Sequence, residues 1–368
     1  MSRIPFSDLR PIHAAIKPAM LEAFENVYDG NRFILGECLE RFEHAYARFN
    51  AVEECIGVSN GLDALRICLA VLGIGKGDEV LLPANSFIAT ALAVIHAGAR
   101  PVFLDPDADT CNLSGPAIEA AITSRTRAII PVHLYGQSCD MPAIKKIAQK
   151  HSLFIIEDNA QAQGARYEDR LTGSWGEINA TSFYPGKNLG ALGDAGGITT
   201  NDAALAKAAR ILRNYGAEQK YQHREIGFNM RMDECQAAFL SVKLQHLMDW
   251  VEKRREIAGW YNEGLRGLDE IVLPYAHPSA YHVYHLFVIR TPRREALQSW
   301  LQKEEIETLV HYPRPLHLED VFSYLGYRPG ALPIAEAHAA SCCSLPLWVG
   351  MQQEDVERIC QAIKNFFK

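Results

Sequence analysis

The chain has 368 residues, of which 48% are hydrophobic and 22% charged, an ordinary globular composition with ample core. This length predicts one large and one smaller domain. The boundary is placed near residue 245, within a long predicted helical segment, which gives domains 1–245 and 246–368. The net charge is −7 and no basic block stands out, which argues against a nucleic-acid partner. The longest apolar stretches, such as 87–97, are too short to span a bilayer, and the N-terminus lacks the apolar core of a signal peptide.

The nine cysteines are scattered along the chain without the CxxC spacing of a zinc site. We interpret them as reduced, mostly buried thiols. These features predict a cytoplasmic protein that binds no metal and no membrane.

The first part of the chain alternates helical and strand patterns. Helices are predicted over 14–29, 38–49, 63–72, 86–97, 115–122 and 141–151, and strands over 55–58, 79–82, 101–104, 128–132 and 153–156. This alternation predicts an α/β fold with a mainly parallel sheet sandwiched by helices. Ligands bind beyond the carboxyl ends of such strands. The residues at or near those ends are Ser59, Pro83, Asp105, His133 and Asp158.

The pattern changes after Gly197. A strand at 198–200 is followed by Asn201 and Asp202, which cap a helix running to about residue 213. Further on, the sequence predicts a loop at 219–231, a long helix or helix pair at 233–268, strands at 283–290 and 308–312, and helices at 293–305 and 354–367. The last part of the chain therefore reads as a smaller α+β domain.

Two residues near strand ends are candidate catalytic residues. Lys187 lies between Gly186 and Asn188 on a turn after a β-type run, and Asp158 ends a strand. A pyridoxal-phosphate enzyme needs this pair, because the lysine forms a Schiff base with the cofactor aldehyde and the carboxylate keeps the ring nitrogen protonated. Taken singly, the lysine would normally be solvated and the aspartate would normally cap a loop.

The segment 59–65 follows a strand and opens a helix, so its backbone N–H groups can bind an anion. Gly61 lets a phosphate approach closely, and Ser59 or Asp63 can cap the helix. The segment has neither the GxGxxG nor the GxxxxGK[ST] spacing. A capped helix start without a ligand is the commoner arrangement.

Other candidates have an ordinary structural interpretation as well. Phe87 could stack on a ligand ring or belong to the core. Ser182 could bind a phosphate oxygen or serve the turn, and His133 is typical of a satisfied core histidine. The proline-stiffened loop 311–317, with two histidines and an arginine, suits a phosphorylated or hydroxylated ligand, or is a surface loop.

Taken together, these segments resemble the DegT/DnrJ/EryC1/StrS family of sugar aminotransferases, which are fold-type-I pyridoxal-phosphate enzymes. Several motifs in one order are more specific than any motif alone. The resemblance implies a large cofactor-binding domain and a small C-terminal domain. It runs nearly the whole chain, through 5–9, 59–65, 83–90, 157–165, 182–194, 227–233 and 311–317.

The resemblance implies a role for each site residue. Lys187 bonds to pyridoxal 5′-phosphate and shuttles a proton, and Asp158 pairs with the ring nitrogen. Leu62 stands where the family often has threonine, which matters little if its backbone N–H is used. The other implied cofactor contacts are Phe87 on the ring, Gln161 beside the 3-hydroxyl, Ser182 and the backbone of Gly61, Leu62 and Asp63 on the phosphate, and Asn229 on the phosphate of the neighbouring subunit.

The implied partners are a second copy of the chain, in a homodimer with shared sites, L-glutamate as amino donor, and a nucleotide-linked keto-sugar. The residues expected at the sugar entrance are Tyr184, Tyr221, His311, Tyr312 and His317. Segments 83–90 and 159–165 look most like the 3-keto-6-deoxyhexose group, since many 4-keto enzymes have histidine in place of Gln161. The expected reaction is dTDP-3-oxo-6-deoxyhexose 3-amination, in deoxysugar biosynthesis for lipopolysaccharide O-antigen or S-layer glycan.

Three alternatives remain open. The first is a 4-keto or UDP-sugar aminotransferase. The second is a deoxysugar dehydratase of the same fold, although such enzymes have histidine where Lys187 stands. The third is a cofactor-binding regulator without turnover, although the sequence shows no DNA-binding segment.

Overall fold

The computed structural model describes residues 3–368. Its helices largely follow the predicted periodicity. The helices are α1 (Arg10–Gly30), α2 (Glu37–Phe49), α3 (Gly61–Val71), α4 (Ile88–His96), α5 (Gly115–Ala121), α6 (Met141–His151), α7 (Ala203–Leu212), α8 (Glu234–Leu244), α9 (Leu247–Gly264), α10 (Arg294–Lys303), α11 (Pro333–Ser341) and α12 (Gln353–Phe367).

The strands are short, and several lie outside the main sheet. They are β1 (Glu54–Val58), β2 (Glu79–Pro83), β3 (Arg100–Leu104), β4 (Thr126–Ile129), β5 (Phe154–Ile155), β6 (Arg166–Tyr167), β7 (Arg170–Leu171), β8 (Asn179–Ser182), β9 (Gly196–Thr200), β10 (Ala217–Gln219), β11 (Gln222–His223), β12 (Ala280–Tyr281), β13 (Phe287–Arg290) and β14 (Cys342–Leu345).

The central sheet consists of two groups of strands joined at Asp158. In one group β2 pairs in parallel with β3 and β4, and β4 pairs in parallel with β5. In the other, β9 pairs antiparallel with β1 and β8. Asp158 extends the line of β5 and bridges in parallel to Val132 and to Ala180. The strand order is therefore β3-β2-β4-β5-β8-β9-β1, which confirms the mainly parallel sheet and sets Asp158 at its middle.

Helix α7 begins as the sequence predicts. Oδ1 of Asp202 accepts hydrogen bonds from the backbone N–H groups of Ala204 at 2.7 Å and Leu205 at 3.1 Å. These bonds satisfy donors that have no partner within the helix. The cap fixes where the chain turns from β9 into α7.

The predicted long helical segment is a helix pair, because α8 ends at Leu244 and α9 begins at Leu247. Beyond this break, a separate apolar core is built from α9, α10, α12, β13 and β14. Ile4 belongs to the same core and bridges to Ile306. A domain boundary near residue 245 stays a prediction, and the N-terminal segment packs with the C-terminal part of the chain.

Some predicted elements differ from the structure. The predicted loop 219–231 includes part of the β10–β11 hairpin. The predicted strand 283–290 is confined to β13, because the N–H groups of Val283 and Leu286 bond to the carbonyls of Gly136 and Tyr135 rather than to a neighbouring strand. The predicted strand 308–312 is reduced to a single bridge between Leu309 and Ser344. Helix α11 and strand β14 were not predicted.

Within residues 3–368, the helices are too short or too polar for any of them to cross a membrane.

Candidate active site

A cavity of about 700 Å³ lies at the carboxyl end of the central sheet. Its walls come from the start of α3, the start of α4, the turn after β8 and the C-terminal part of the chain. This location agrees with the rule for ligands in parallel sheets. The predicted residues that line it are Gly61, Leu62, Phe87, Asp158, Gln161, Ser182, Tyr184, Lys187, His311 and Tyr312.

Lys187 lies on the turn that follows β8, and its backbone N–H donates to the carbonyl of Tyr184 at 2.8 Å. The turn folds back closely, since a Cβ on Gly190 would lie 2.3 Å from the carbonyl oxygen of Pro185. Burial lowers the pKa of Lys187 to about 8, although the charge of Asp158 acts in the opposite direction. An amine with this pKa is partly neutral near neutral pH and can act as a nucleophile.

Asp158 is held from both sides of its carboxylate. Oδ2 accepts a hydrogen bond from the hydroxyl of Thr90 at 2.9 Å, and Oδ1 accepts one from the N–H of Ala160 at 3.1 Å. The residue is 6% exposed, and burial raises its pKa despite these two bonds. The carboxylate therefore faces the cavity in a fixed orientation.

The start of α3 forms a cradle of backbone N–H groups beside Ser182. The side chain of Asn60 caps the helix by accepting from the N–H of Asp63 at 2.8 Å. The N–H groups of Gly61 and Leu62 precede it in the first turn and have no partner within the helix. A Cβ on Gly61 would lie 2.7 Å from Cβ of Ser182, so only glycine permits this close approach. An anion such as phosphate fits this cradle.

Asp63 differs from its predicted position in the cradle. Its N–H is taken by the Asn60 cap. Its carboxylate accepts from Ser59 at 2.6 Å and pairs with Arg66 at 3.1 Å. The capping residue is therefore Asn60 rather than Ser59 or Asp63, and Asp63 stabilises the helix start instead of offering a free donor.

An aromatic and amide group forms another part of the wall. The ring of Phe87, which is 53% exposed, lies 5.5 Å from that of Tyr312. Gln161 accepts the N–H of Tyr135 at 2.7 Å and donates through Nε2 to the hydroxyl of Tyr312 at 3.1 Å. Gln161 thus fixes Tyr312, and the Phe87 face remains open for a planar ring.

Two histidines face the same cavity as Lys187. Burial, together with the charge of Lys187, lowers the pKa of His311 to about 4, and Nδ1 of His311 lies 2.8 Å from the Ser344 hydroxyl. Burial and the charge of Lys187 also lower the pKa of His285. Both imidazoles are therefore neutral at neutral pH. His285 was not predicted, and its position in an apolar strand pattern offered no signal.

Thr90 was also not predicted as a site residue. The signal was present, because Thr90 follows Ser86 by one helical turn in the segment 83–90, and their hydroxyl oxygens lie 2.7 Å apart. Two polar residues on one face at a strand-to-helix junction point toward the carboxyl end of the sheet.

Besides Asp63, three predicted residues do not line the cavity within one chain. Tyr221 is 82% exposed on the β10–β11 hairpin, and Asn229 is also exposed. His317 is buried, with Nε2 3.0 Å from Oε1 of Glu336. The burial of His317 separates it from His311 and Tyr312, which do line the cavity.

The arrangement meets the needs of a phosphorylated aromatic aldehyde. It offers an amine of lowered pKa, a fixed buried carboxylate, an open aromatic face and a glycine-built anion cradle. Because the cradle beside Ser182 leaves no room for a Cβ on Gly61, the backbone itself is shaped for close approach. The residues present therefore fit pyridoxal phosphate.

The comparisons with known proteins agree with this geometry. The model of the DegT/DnrJ/EryC1/StrS aminotransferase family matches residues 14–364. The dTDP-3-amino-3,6-dideoxy-alpha-D-galactopyranose transaminase of Aneurinibacillus thermoaerophilus is 46% identical over 363 residues, covering 99% of each chain. A Geobacillus stearothermophilus protein named Pleiotropic regulatory protein is 44% identical over 367 residues, also covering 99% of each.

A solved structure extends the similarity to the whole backbone. The crystal structure of S. venezuelae DesV in complex with a ketimine intermediate has a TM-score of 0.98 and 43% sequence identity. The match covers 100% of this chain and 99% of that one. The chain therefore belongs to the DegT/DnrJ/EryC1/StrS aminotransferase family.

Proposed function

We propose that the protein is a pyridoxal-phosphate-dependent transaminase that aminates C3 of a dTDP-linked 3-oxo-6-deoxyhexose, with L-glutamate as donor. The observation that carries the proposal is that Lys187 and Asp158 face one cavity together with the cradle at the start of α3. Family membership independently supports the aminotransferase chemistry and the cofactor.

Bound pyridoxal phosphate supplies an electron sink for the bond that breaks at the amino-bearing carbon. Lys187 would hold its aldehyde carbon, and the N–H groups of Gly61 and Leu62 with Ser182 would hold its phosphate. Phe87 would cover one face of its ring. The protein's own work is positioning these groups and excluding water.

Proton movement belongs to Lys187. Its pKa of about 8, set chiefly by burial, lets Nζ accept a proton from the substrate carbon and return one near neutral pH. His285 and His311 are neutral beside it, so neither adds a positive charge that would suppress its basicity further. Asp158 would hold a proton on the ring nitrogen, and its bonds from Thr90 and Ala160 keep the carboxylate in place.

The choice of C3 rests on Gln161 and on the relatives. Gln161 spans Tyr135 and Tyr312, so it shapes the wall where the sugar enters. The Aneurinibacillus relative carries the name of a dTDP-3-amino-sugar transaminase. Tyr184, His311 and Tyr312 are the wall residues that would contact the sugar.

We propose a homodimer in which Asn229 and Tyr221 serve the partner's cavity. Both are exposed and lie outside their own chain's cavity. An exposed apolar face on α1, with Leu21, Phe24 and Tyr28 at 52%, 44% and 65% exposure, supports contact with a second copy.

The free thiols of the cysteines support a reducing, cytoplasmic location.

A spectroscopic half-reaction tests the function. The cofactor-loaded enzyme is converted with L-glutamate, the donor is removed, and 3-keto and 4-keto dTDP-6-deoxyhexoses are added separately. We expect the absorbance band of the lysine-bound cofactor to disappear with glutamate and to return only with the 3-keto sugar. If the band returned with only the 4-keto sugar, the transamination chemistry would stand and the choice of C3 would be rejected. The same experiment with UDP-linked sugars identifies the nucleotide.

A cofactor-binding regulator is the second candidate, because the Geobacillus relative is named as a regulatory protein. The same half-reaction separates the two functions. A regulator would bind the cofactor and show its band, yet the band would persist in glutamate and in every other amino donor tried.

A further inference from the structure

Lys243, on α8, is a buried cation outside the cavity. Its side chain is 1% exposed. Its Nζ donates to the carbonyl oxygen of Gly190 at 2.6 Å and lies 3.0 Å from Nε2 of His13. Among the ion pairs within residues 3–368, none joins Lys243 to a carboxylate. Burying an ammonium group without a carboxylate partner costs free energy, so the buried position of Lys243 suggests a specific role for this side chain.

The protonation states define which way these bonds run. Burial lowers the pKa of Lys243 to about 8, so at neutral pH the amine is mainly charged. Burial and the charge of Lys243 lower the pKa of His13, so the imidazole is neutral and Nε2 accepts. The bond to the Gly190 carbonyl is therefore charge-assisted, which makes it stronger than a bond between neutral groups.

Gly190 lies on the turn that carries Lys187. This turn is closed on itself, because Lys187 N–H bonds to the Tyr184 carbonyl at 2.8 Å and a Cβ on Gly190 would collide with Pro185 at 2.3 Å. A displacement of Gly190 is therefore transmitted to Lys187.

Helix α8 holds the same turn at a second point. Oε1 of Gln236 accepts the N–H of Leu192 at 2.8 Å. Lys243 lies two helical turns farther along α8 and bonds to Gly190. Helix α8 thus forms hydrogen bonds to the turn at Gly190 and at Leu192. The contact between Lys243 and His13 connects α8 to α1.

We propose that Lys243 is a positioning residue, which fixes the turn that presents Lys187 to the cavity through the Gly190 carbonyl. The inference rests on the proposed function insofar as Lys187 moves the proton there. The backbone transmits the effect, because Nζ of Lys243 contacts the turn at the carbonyl oxygen of Gly190.

The test compares Lys243→Met, which removes the donor, with Lys243→Gln, which keeps a neutral donor. Lys253→Met is the matched control, because Lys253 is exposed on α9 and pairs only with Glu256 at the surface. Hydrogen–deuterium exchange of residues 184–193 in the cofactor-loaded proteins reports the turn directly. Single-turnover reaction with L-glutamate and α-deuterated L-glutamate reports the proton transfer.

We expect Lys243→Met to exchange faster in 184–193 and to react about 10- to 100-fold more slowly, the cost of misplacing a reacting group by about 1 Å. The deuterium isotope effect should rise, and the glutamate dissociation constant should stay unchanged. Lys243→Gln should restore part of the protection of residues 184–193 and part of the single-turnover rate. If Lys243→Met does not fold, Lys243→Gln is compared with the wild-type protein instead.

Unchanged exchange in 184–193 overturns the proposal, as does an unchanged single-turnover rate in a variant whose only defect is a lower melting temperature. A wild-type protein that binds cofactor but does not react with any amino donor would instead overturn the proposed function. The exchange measurement would still decide the positioning role in that case.

Discussion

The hydroxyl of Thr90 donates a 2.9 Å hydrogen bond to Oδ2 of Asp158. Thr90 is 1% exposed, and Oγ of Ser86 lies 2.7 Å from its hydroxyl oxygen. Because the single hydrogen of Thr90 goes to Asp158, Ser86 must donate to Thr90. Burial raises the pKa of Asp158, and the Thr90 bond acts against that shift. A short hydroxyl chain thus helps to keep a buried carboxylate ionised.

Thr90→Val should slow the reaction while preserving the shape of the side chain. The activation free energy should rise by about 1.5–3 kcal/mol, which is the usual contribution of a hydrogen bond to a charged group. Thr90→Ser keeps the hydroxyl and should stay near wild type. The measurement is kcat for each variant, and equal values for wild type and Thr90→Val would show that the bond plays no part.

Asp158→Asn should reduce kcat by about 10²- to 10⁴-fold, because the amide cannot hold a proton on the cofactor ring nitrogen. The fold should persist, since an amide oxygen can still accept from Thr90. Asp140→Asn is the control: Asp140 caps α6 on the exposed surface, where asparagine caps equally well. Similar activity of Asp158→Asn and the control would remove Asp158 from the mechanism.

Gly61→Ala should weaken cofactor binding. The added Cβ would lie 2.7 Å from Cβ of Ser182, and such overpacking costs about 1–3 kcal/mol. Gly259→Ala is a matched control, since the same methyl on α9 meets no atom within 4 Å. Equilibrium dialysis of pyridoxal phosphate measures both, and a Gly61→Ala variant with wild-type affinity would place the phosphate elsewhere.

Cofactor loading should be faster at higher pH. Lys187 attacks as the neutral amine, and burial lowers its pKa to about 8, so the neutral fraction grows as pH rises through that value. The rate at which stripped protein regains the cofactor band should therefore rise from pH 7 to pH 9 and then level off. A rate that still climbs steeply above pH 9 would mean that the amine is solvated, with its ordinary pKa.

Mixed dimers of Asn229→Ala and Lys187→Ala subunits test the shared site. If Asn229 serves the partner's cavity, one site in each mixed dimer combines an intact Lys187 with an intact Asn229. Such dimers should have about half of the wild-type activity, whereas both parent homodimers are impaired. Mixed dimers without a wild-type-like site would place Asn229 in its own subunit's cavity.

The sequence predicted the alternation of helices and strands because apolar periodicity depends on neighbouring residues. Asp158 and Lys187 were predictable for a similar reason, since strand ends of a parallel sheet meet at one edge. The antiparallel direction of β9 and the polar β10–β11 hairpin were not, because strand pairing depends on distant parts of the chain.

The hydrogen-bond partners of side chains within the motifs also could not be predicted from the sequence. Asp63 looked like a phosphate-binding position, yet the Asn60 cap takes its N–H. His311 and His317 lie in one short loop, but the chain turns at Leu316–Leu318 and buries His317 beside Glu336. Spacing alone does not define which side of a turn a side chain occupies.

The closing of β1 against β9 has a consequence for synthesis. β1 pairs with β9, and the ring of Phe6 stacks 5.7 Å from that of His311 across the cavity wall. On the ribosome, β1 must therefore wait for β9 to emerge, and Phe6 must wait for His311. Long-range pairing slows folding and leaves strand edges exposed to neighbouring chains meanwhile. The cavity wall that contains Phe6 and His311 is therefore incomplete until translation has passed His311.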